Sequence, residues 1–175
     1  MTTTEVFATD RQDPPTTGAE RPMLEGWVDF HRDTLLRKCE GLSDEQLKLA
    51  SCEPSTLTLH GLVRHMAEVE GWFNNDIADG AVAPIFYTEE RPNDDFDALE
   101  DADIESDVAT YRRMVERSRA FAARSPDLDQ VCAVSPRSGS EFSLRWIYHH
   151  MIEEYARHNG HADLLRERID GVTGE

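Results

Sequence analysis

Apolar residues recur at three- and four-residue steps through four stretches of the chain, the spacing of an α-helix that buries one face. In the first, about 22–40, Leu24, Trp27, Val28, His31, Leu35 and Leu42 follow this spacing, and Gly41 stands where a helix end wants a left-handed residue. A short SDEQL piece follows, with Ser43 as N-cap and Gln46 as its capping-box partner. The second stretch, about 57–79, aligns Leu59, Leu62, Met66, Val69, Phe73 and Ile77 and stops at Gly80. The third, about 104–124, aligns Ile104, Val108, Tyr111, Val115, Ser118 and Ala122 and ends before Ser125-Pro126, where proline blocks continuation. The fourth, about 143–169, aligns Leu144, Tyr148, Met151, Tyr155, Ala162, Leu165 and Ile169, and Gly171 closes it.

Strand signals are weak: PIFY at 84–87 is the one briefly extended run, and no Asn-Gly or Asp-Gly turn joins two alternating segments. Four amphipathic helices bury their stripes most simply against one another, so the expected fold is all-α, a four-helix bundle with a long connection between helices two and three. The first 21 residues, rich in Thr, Pro, Asp and Gly, read as a flexible tail, and 22–175 as a single domain.

Charge refines this picture. The 175 residues carry 35 acids against 18 Lys and Arg, a formal net charge of −17. Such a balance is unsuited to neutralising phosphates and argues against nucleic acid and anionic membrane surfaces as partners. The longest apolar runs are far short of the roughly 20 residues that span a bilayer. The amino terminus has neither a basic start nor an apolar signal core, so a cytoplasmic location is expected. Cys39, Cys52 and Cys132 form no C-x-x-C pair and read as reduced thiols. Residues 88–107 hold ten acids and one base, −9 of the −17, the composition of a solvated, self-repelling connection.

The histidines carry the candidate chemistry. With Glu154 set at zero on the fourth helix, His158 falls near about +40°, His161 near about −20° and His150 near about −40°, against an apolar stripe centred near about +60°. His158 therefore points into the bundle seam, with Glu154 one turn before it and His161 one turn after. A carboxylate and an imidazole four residues apart can converge on one ion, and a third ligand must then come from another helix. His65, at the edge of the second helix's stripe, is the candidate. His60, at the start of that helix, reads as exposed, His31 as a packing histidine, and Tyr155 and Trp72 as core or pocket wall. Arg64 and Glu68, four apart, read as an exposed helix pair.

The runs GLVRHMAEVEGWF at 61–73 and SLRWIYHHMIEEYARHNGHADLLRERIDG at 143–171 resemble the DinB-like superfamily of metal-binding four-helix bundles, in particular its branch related to mycothiol-dependent transferases. The resemblance spans roughly 22–172. It implies a divalent metal, zinc or nickel, on His65, Glu154 and His158. Many relatives have His where this chain has Glu154, which leaves His161 as the alternative third ligand. The resemblance also implies a homodimer and a low-molecular-weight thiol, such as mycothiol, as cosubstrate.

Two imidazoles and a carboxylate leave a coordination position open, where a metal can lower the pKa of a thiol. The expected activity is therefore a metal-dependent S-transferase, with a small-molecule thiol and an electrophile as partners. Arg145 and Arg157 flank the fourth-helix site and are candidates to meet an anionic part of the ligand. The alternatives are a hydrolase that uses metal-bound water and a non-catalytic metal- or ligand-binding bundle.

Overall fold

The four periodic stretches are helices in the computed structural model of the chain, which describes residues 6–74, 84–134 and 139–174. Helix α1 spans Glu20–Cys39, and the chain turns out of it through Gly41 at φ +79°, a conformation that a side chain would strain. The one-turn α2, Asp44–Leu47, starts from a complete capping box: Ser43 Oγ accepts from Gln46 N, and the Gln46 side chain accepts from Ser43 N. Helix α3 spans Leu59–Asn74, with the Thr58 hydroxyl accepting from Gly61 N at 2.9 Å in its first turn. Ile77 and Gly80, expected near its end, lie outside the described residues. The one-turn α4, Asp94–Asp97, lies within the acidic connection, and α5 covers Ile104–Arg124, the expected span.

Two short strands, β1 at Val131–Val134 and β2 at Glu141–Ser143, pair antiparallel with a bulge between Val131 and Ala133. They are missed by the alternation rule because three or four residues are too few to register a period. PIFY at 84–87 is not a strand. Strand β2 leads straight into α6, Leu144–Asp170, whose N-cap Ser143 accepts from Trp146 N and whose end is Gly171 at φ +79°.

The molecule is mostly helical, and its long helices share one core. Helix α3 packs chiefly on α5, and α1 on α6, while α6 also meets α3. Leu35, Leu62, Met66, Tyr111, Ile147, Met151, Tyr155 and Leu165 are almost wholly excluded from water. Each large aliphatic side chain so buried stabilises the fold by about 1.5–3 kcal/mol. Val6 and Phe7, from the segment that composition marks as a tail, belong to this core as well. Trp27, placed on the α1 stripe by its spacing, is 42% exposed, whereas Arg32 on the same helix is buried. No helix among the described residues is long and apolar enough to cross a membrane.

Candidate metal centre

The α3–α6 contact brings His65 opposite Glu154 and His158. One ligand atom from each residue lies within 4.8 Å of the other two. Glu154 and His158 occupy successive turns of α6, and His158 Nε2 is 3.6 Å from Glu154 Oε2. His161 stands on the other side of the imidazole: its Nδ1 is 3.4 Å from His158 Nδ1. His158 thus presents Nε2 to the cluster and Nδ1 to His161.

His65 is held in the same manner. Its Nδ1 is 2.9 Å from Asp95 Oδ2. A carboxylate accepts, so Nδ1 carries the hydrogen and Nε2 is the nitrogen left for an ion. The donor set is chemically suited to a borderline divalent ion: two imidazoles backed on their second nitrogens, and one carboxylate. Zinc and nickel both accept this set.

Burial, reinforced by His65, His161 and Arg157 nearby, pushes His158 down to about 4 from an ordinary value of 6.5. The imidazole is therefore neutral at pH 7, the form that can ligate. In metal-free protein this has a stability consequence. Between pH 6.5 and about 4 the unfolded chain takes up a proton at His158 that the folded chain refuses, so stability is full above pH 6.5 and is lost as pH falls toward 4. Discounted for its partial contact with solvent, the loss is about 1–2 kcal/mol. Urea titrations at pH 7 and pH 4.5 of chelator-treated wild type and His158→Gln check this: the wild type should lose more stability between the two pH values.

Several α3 side chains expected at the surface are buried near this centre. His60 is fully buried, with Nε2 2.8 Å from Asp107 Oδ2. Arg64 and Glu68 are buried as well and do not form an exposed pair. Arg64 donates to Asp107 and to the Asp94 and Asp95 carbonyls, and Glu68 accepts from the Ile85 and Phe86 backbone. These partners come from the segment between α3 and α5 and from the start of α5, so spacing along α3 carries no trace of them. For the same reason that connection is not wholly solvated: Asp95 and Asp107 are 4% and 7% exposed.

Arg157 pairs with Glu153 and lies 3.4 Å from Glu154, where it braces that carboxylate. Arg145 is engaged by Glu20 and Asp129 near the start of α6, about 13 Å along the axis from Glu154. His31 is half-buried on the other side of α6, near Asn159.

An aromatic cluster continues the site. Trp146, His150, Glu154 and His158 follow one another at four-residue steps on a single face of α6. His150 stacks on Trp146 with ring centres 4.9 Å apart, and meets Trp72 edge-on at 5.3 Å. Phe142 of β2 completes the group, 4.5 Å from Trp146. The i, i+4 register of Trp146 and His150 with Glu154 is legible in the sequence; the contribution of Phe142 depends on the strand pair and is not. The cavity of about 260 Å³ lined by Glu25, Arg32, Arg119, Tyr148 and Met151 includes none of the three clustered residues.

A family model described as MST, mycothiol-S-transferase, matches residues 23–171. No curated protein and no solved structure matches the chain.

Proposed function

From the premise that the chain belongs to the mycothiol-S-transferase family, within the DinB-like superfamily, we propose that it is a metal-dependent transferase that joins a low-molecular-weight thiol, mycothiol in the first instance, to a small electrophile. The observation that carries this reading is the convergence of His65, Glu154 and His158 within 4.8 Å. In the same reading, α1, α3, α5 and α6 are the superfamily's four-helix bundle, and they form a single domain whose core also takes in Val6 and Phe7.

Bound at these residues, a zinc or nickel ion would lower the pKa of a coordinated thiol, so that the nucleophilic thiolate exists at neutral pH. The protein's own side chains do the rest. His65 and His158 offer imidazoles whose orientation is fixed from behind, and Glu154 contributes a carboxylate, held in place by Arg157. Trp72, Phe142 and Trp146 form a half-exposed wall, with Trp146 about two turns of α6 from Glu154, suited to the less polar parts of thiol and electrophile.

Metal analysis together with a conjugation assay, using mycothiol and a chromogenic electrophile, tests the proposal. Metal should co-purify stoichiometrically, conjugation should cease on chelation, and zinc or nickel should restore it. Equal conjugation by metal-free protein, or no consumption of thiol by the loaded protein, would overturn it.

A further inference from the structure

We propose that Asp95, delivered by the one-turn helix α4 from within the acidic connection, is the positioning residue that fixes the tautomer and the ring orientation of His65. This rests on the reading of His65 as a metal ligand. It changes the role of the most acidic part of the chain from spacer to part of the site.

The contact between Asp95 and His65 is built in several independent ways. The Asp95 carboxylate is almost wholly buried, and both of its oxygens are used: Oδ2 on His65 Nδ1 at 2.9 Å and Oδ1 on Phe96 N at 3.1 Å. The next residue, Phe96, stacks on the His65 ring with centres 4.7 Å apart and planes 26° from parallel. One short helix therefore holds the imidazole by an edge and by a face.

The helix α4 is itself gripped from α3. Arg64, adjacent to His65, donates from Nη2 to the Asp94 carbonyl at 3.0 Å and from Nε to the Asp95 carbonyl at 3.1 Å. Asp107 of α5 holds Arg64 in turn, at 3.2 Å, and His60 approaches the same oxygen. Gly61 makes the close approach of α4 possible: a Cβ there would lie 3.2 Å from Phe96 Cδ1 and 3.4 Å from Phe96 Cα, tighter than ordinary packing. Nothing in a solvated spacer requires a buried carboxylate, a buried arginine on two of its carbonyls and a bare Cα beneath it.

A carboxylate on the far nitrogen of a ligating histidine sets which nitrogen is free and raises its basicity, and loss of such a partner costs about 10–100-fold in metal affinity. Two measurements test this on the full chain. Long-range ¹H–¹⁵N NMR of metal-free protein should find His65 in the Nδ1–H tautomer in wild type and Asp95→Asn, since an amide oxygen still accepts, and a mixed or inverted tautomer in Asp95→Ala. Competition for Zn²⁺ against a chromogenic chelator should show Asp95→Ala about 10–100-fold weaker than wild type, and Asp95→Asn between them. A folded Asp95→Ala with an unchanged tautomer and affinity within about twofold would overturn the proposal. If Asp95→Ala does not fold, Asp95→Asn decides: affinity equal to wild type overturns it, and a loss with the tautomer kept supports it. If wild type binds no Zn²⁺, the metal reading fails, while the NMR comparison still decides whether Asp95 sets His65.

Discussion

Glu70→Ala is expected to be the most damaging single truncation in the core, costing about 3–5 kcal/mol. Glu70 on α3 has no solvent exposure. It takes a bidentate grip from Arg32 of α1, Nε on Oε1 at 2.7 Å and Nη2 on Oε2 at 2.9 Å. The Tyr155 hydroxyl donates to the same Oε1 at 2.7 Å and lies 2.9 Å from the Tyr111 hydroxyl. Three helices therefore meet on one carboxylate, and the contact of Tyr155 with Tyr111 ties in α5. Burial opposes the charge on Arg32, but Glu70 beside it overrides this and holds its pKa well above the ordinary value, while burial and the same carboxylate drive Tyr155 up. Removing Glu70 leaves a buried guanidinium with Asp29 as its remaining counter-ion among the described residues, and takes from the buried Tyr155 phenol its carboxylate acceptor. At roughly 2–4 °C per kcal/mol for a chain of this size, the melting temperature should fall by about 6–20 °C. Calorimetry of wild type, Glu70→Ala and the double variant Arg32→Met/Glu70→Leu measures this. The double variant should recover much of the loss, because burying neither charge is cheaper than burying one alone. A Glu70→Ala melting temperature within a degree or two of wild type would sink the assignment.

That network also bears on the site. Glu70 lies five residues beyond His65 on α3, and Tyr155 follows Glu154 on α6, so their hydrogen bond fixes the register in which His65 faces Glu154 and His158. The bond joins residues 85 positions apart and has no local signature. By contrast, Gly41, the Ser43 capping box and Gly171 act within four residues of themselves, and the helix ends they set are legible in the sequence. The pair Glu154 and His158 is legible for the same reason, because the helical period fixes their relative direction. His65 could be placed only at a stripe edge, and its opposition to α6 comes from packing. Averaging hides the make-up of the acidic run: eight of its ten acids can be surface residues while Asp95 and Asp107 carry the contacts that matter. Composition counts charges, and the distinction between a solvated carboxylate and one holding a histidine lies in its partners, here 30 and 47 residues away.

His158→Ala should abolish tight metal binding and, with it, thiol conjugation. Of the three clustered residues it is the most completely enclosed, and its neutral imidazole has Nε2 directed at Glu154 and Nδ1 at His161. Deleting a ligand removes a bond to the ion, whereas deleting a residue behind a ligand only loosens its aim, a loss of about 10–100-fold. His65→Ala, Glu154→Ala and His158→Ala should therefore each weaken Zn²⁺ binding by more than about 100-fold, or about 2.7 kcal/mol. His161→Ala should fall within the smaller range, because His161 meets the nitrogen of His158 that faces away from Glu154. Glu154→His should keep the metal, since it restores an all-imidazole set with the same i, i+4 reach. At low pH the wild-type imidazole resists protonation and costs the metal-free fold stability, a penalty that His158→Ala escapes. Chelator competition across the five variants, with circular dichroism to verify folding, separates the roles. If His161→Ala loses more affinity than Glu154→Ala, the third ligand is His161. If all five bind as wild type does, the metal lies elsewhere, and the proximity of these side chains on α3 and α6 is packing alone.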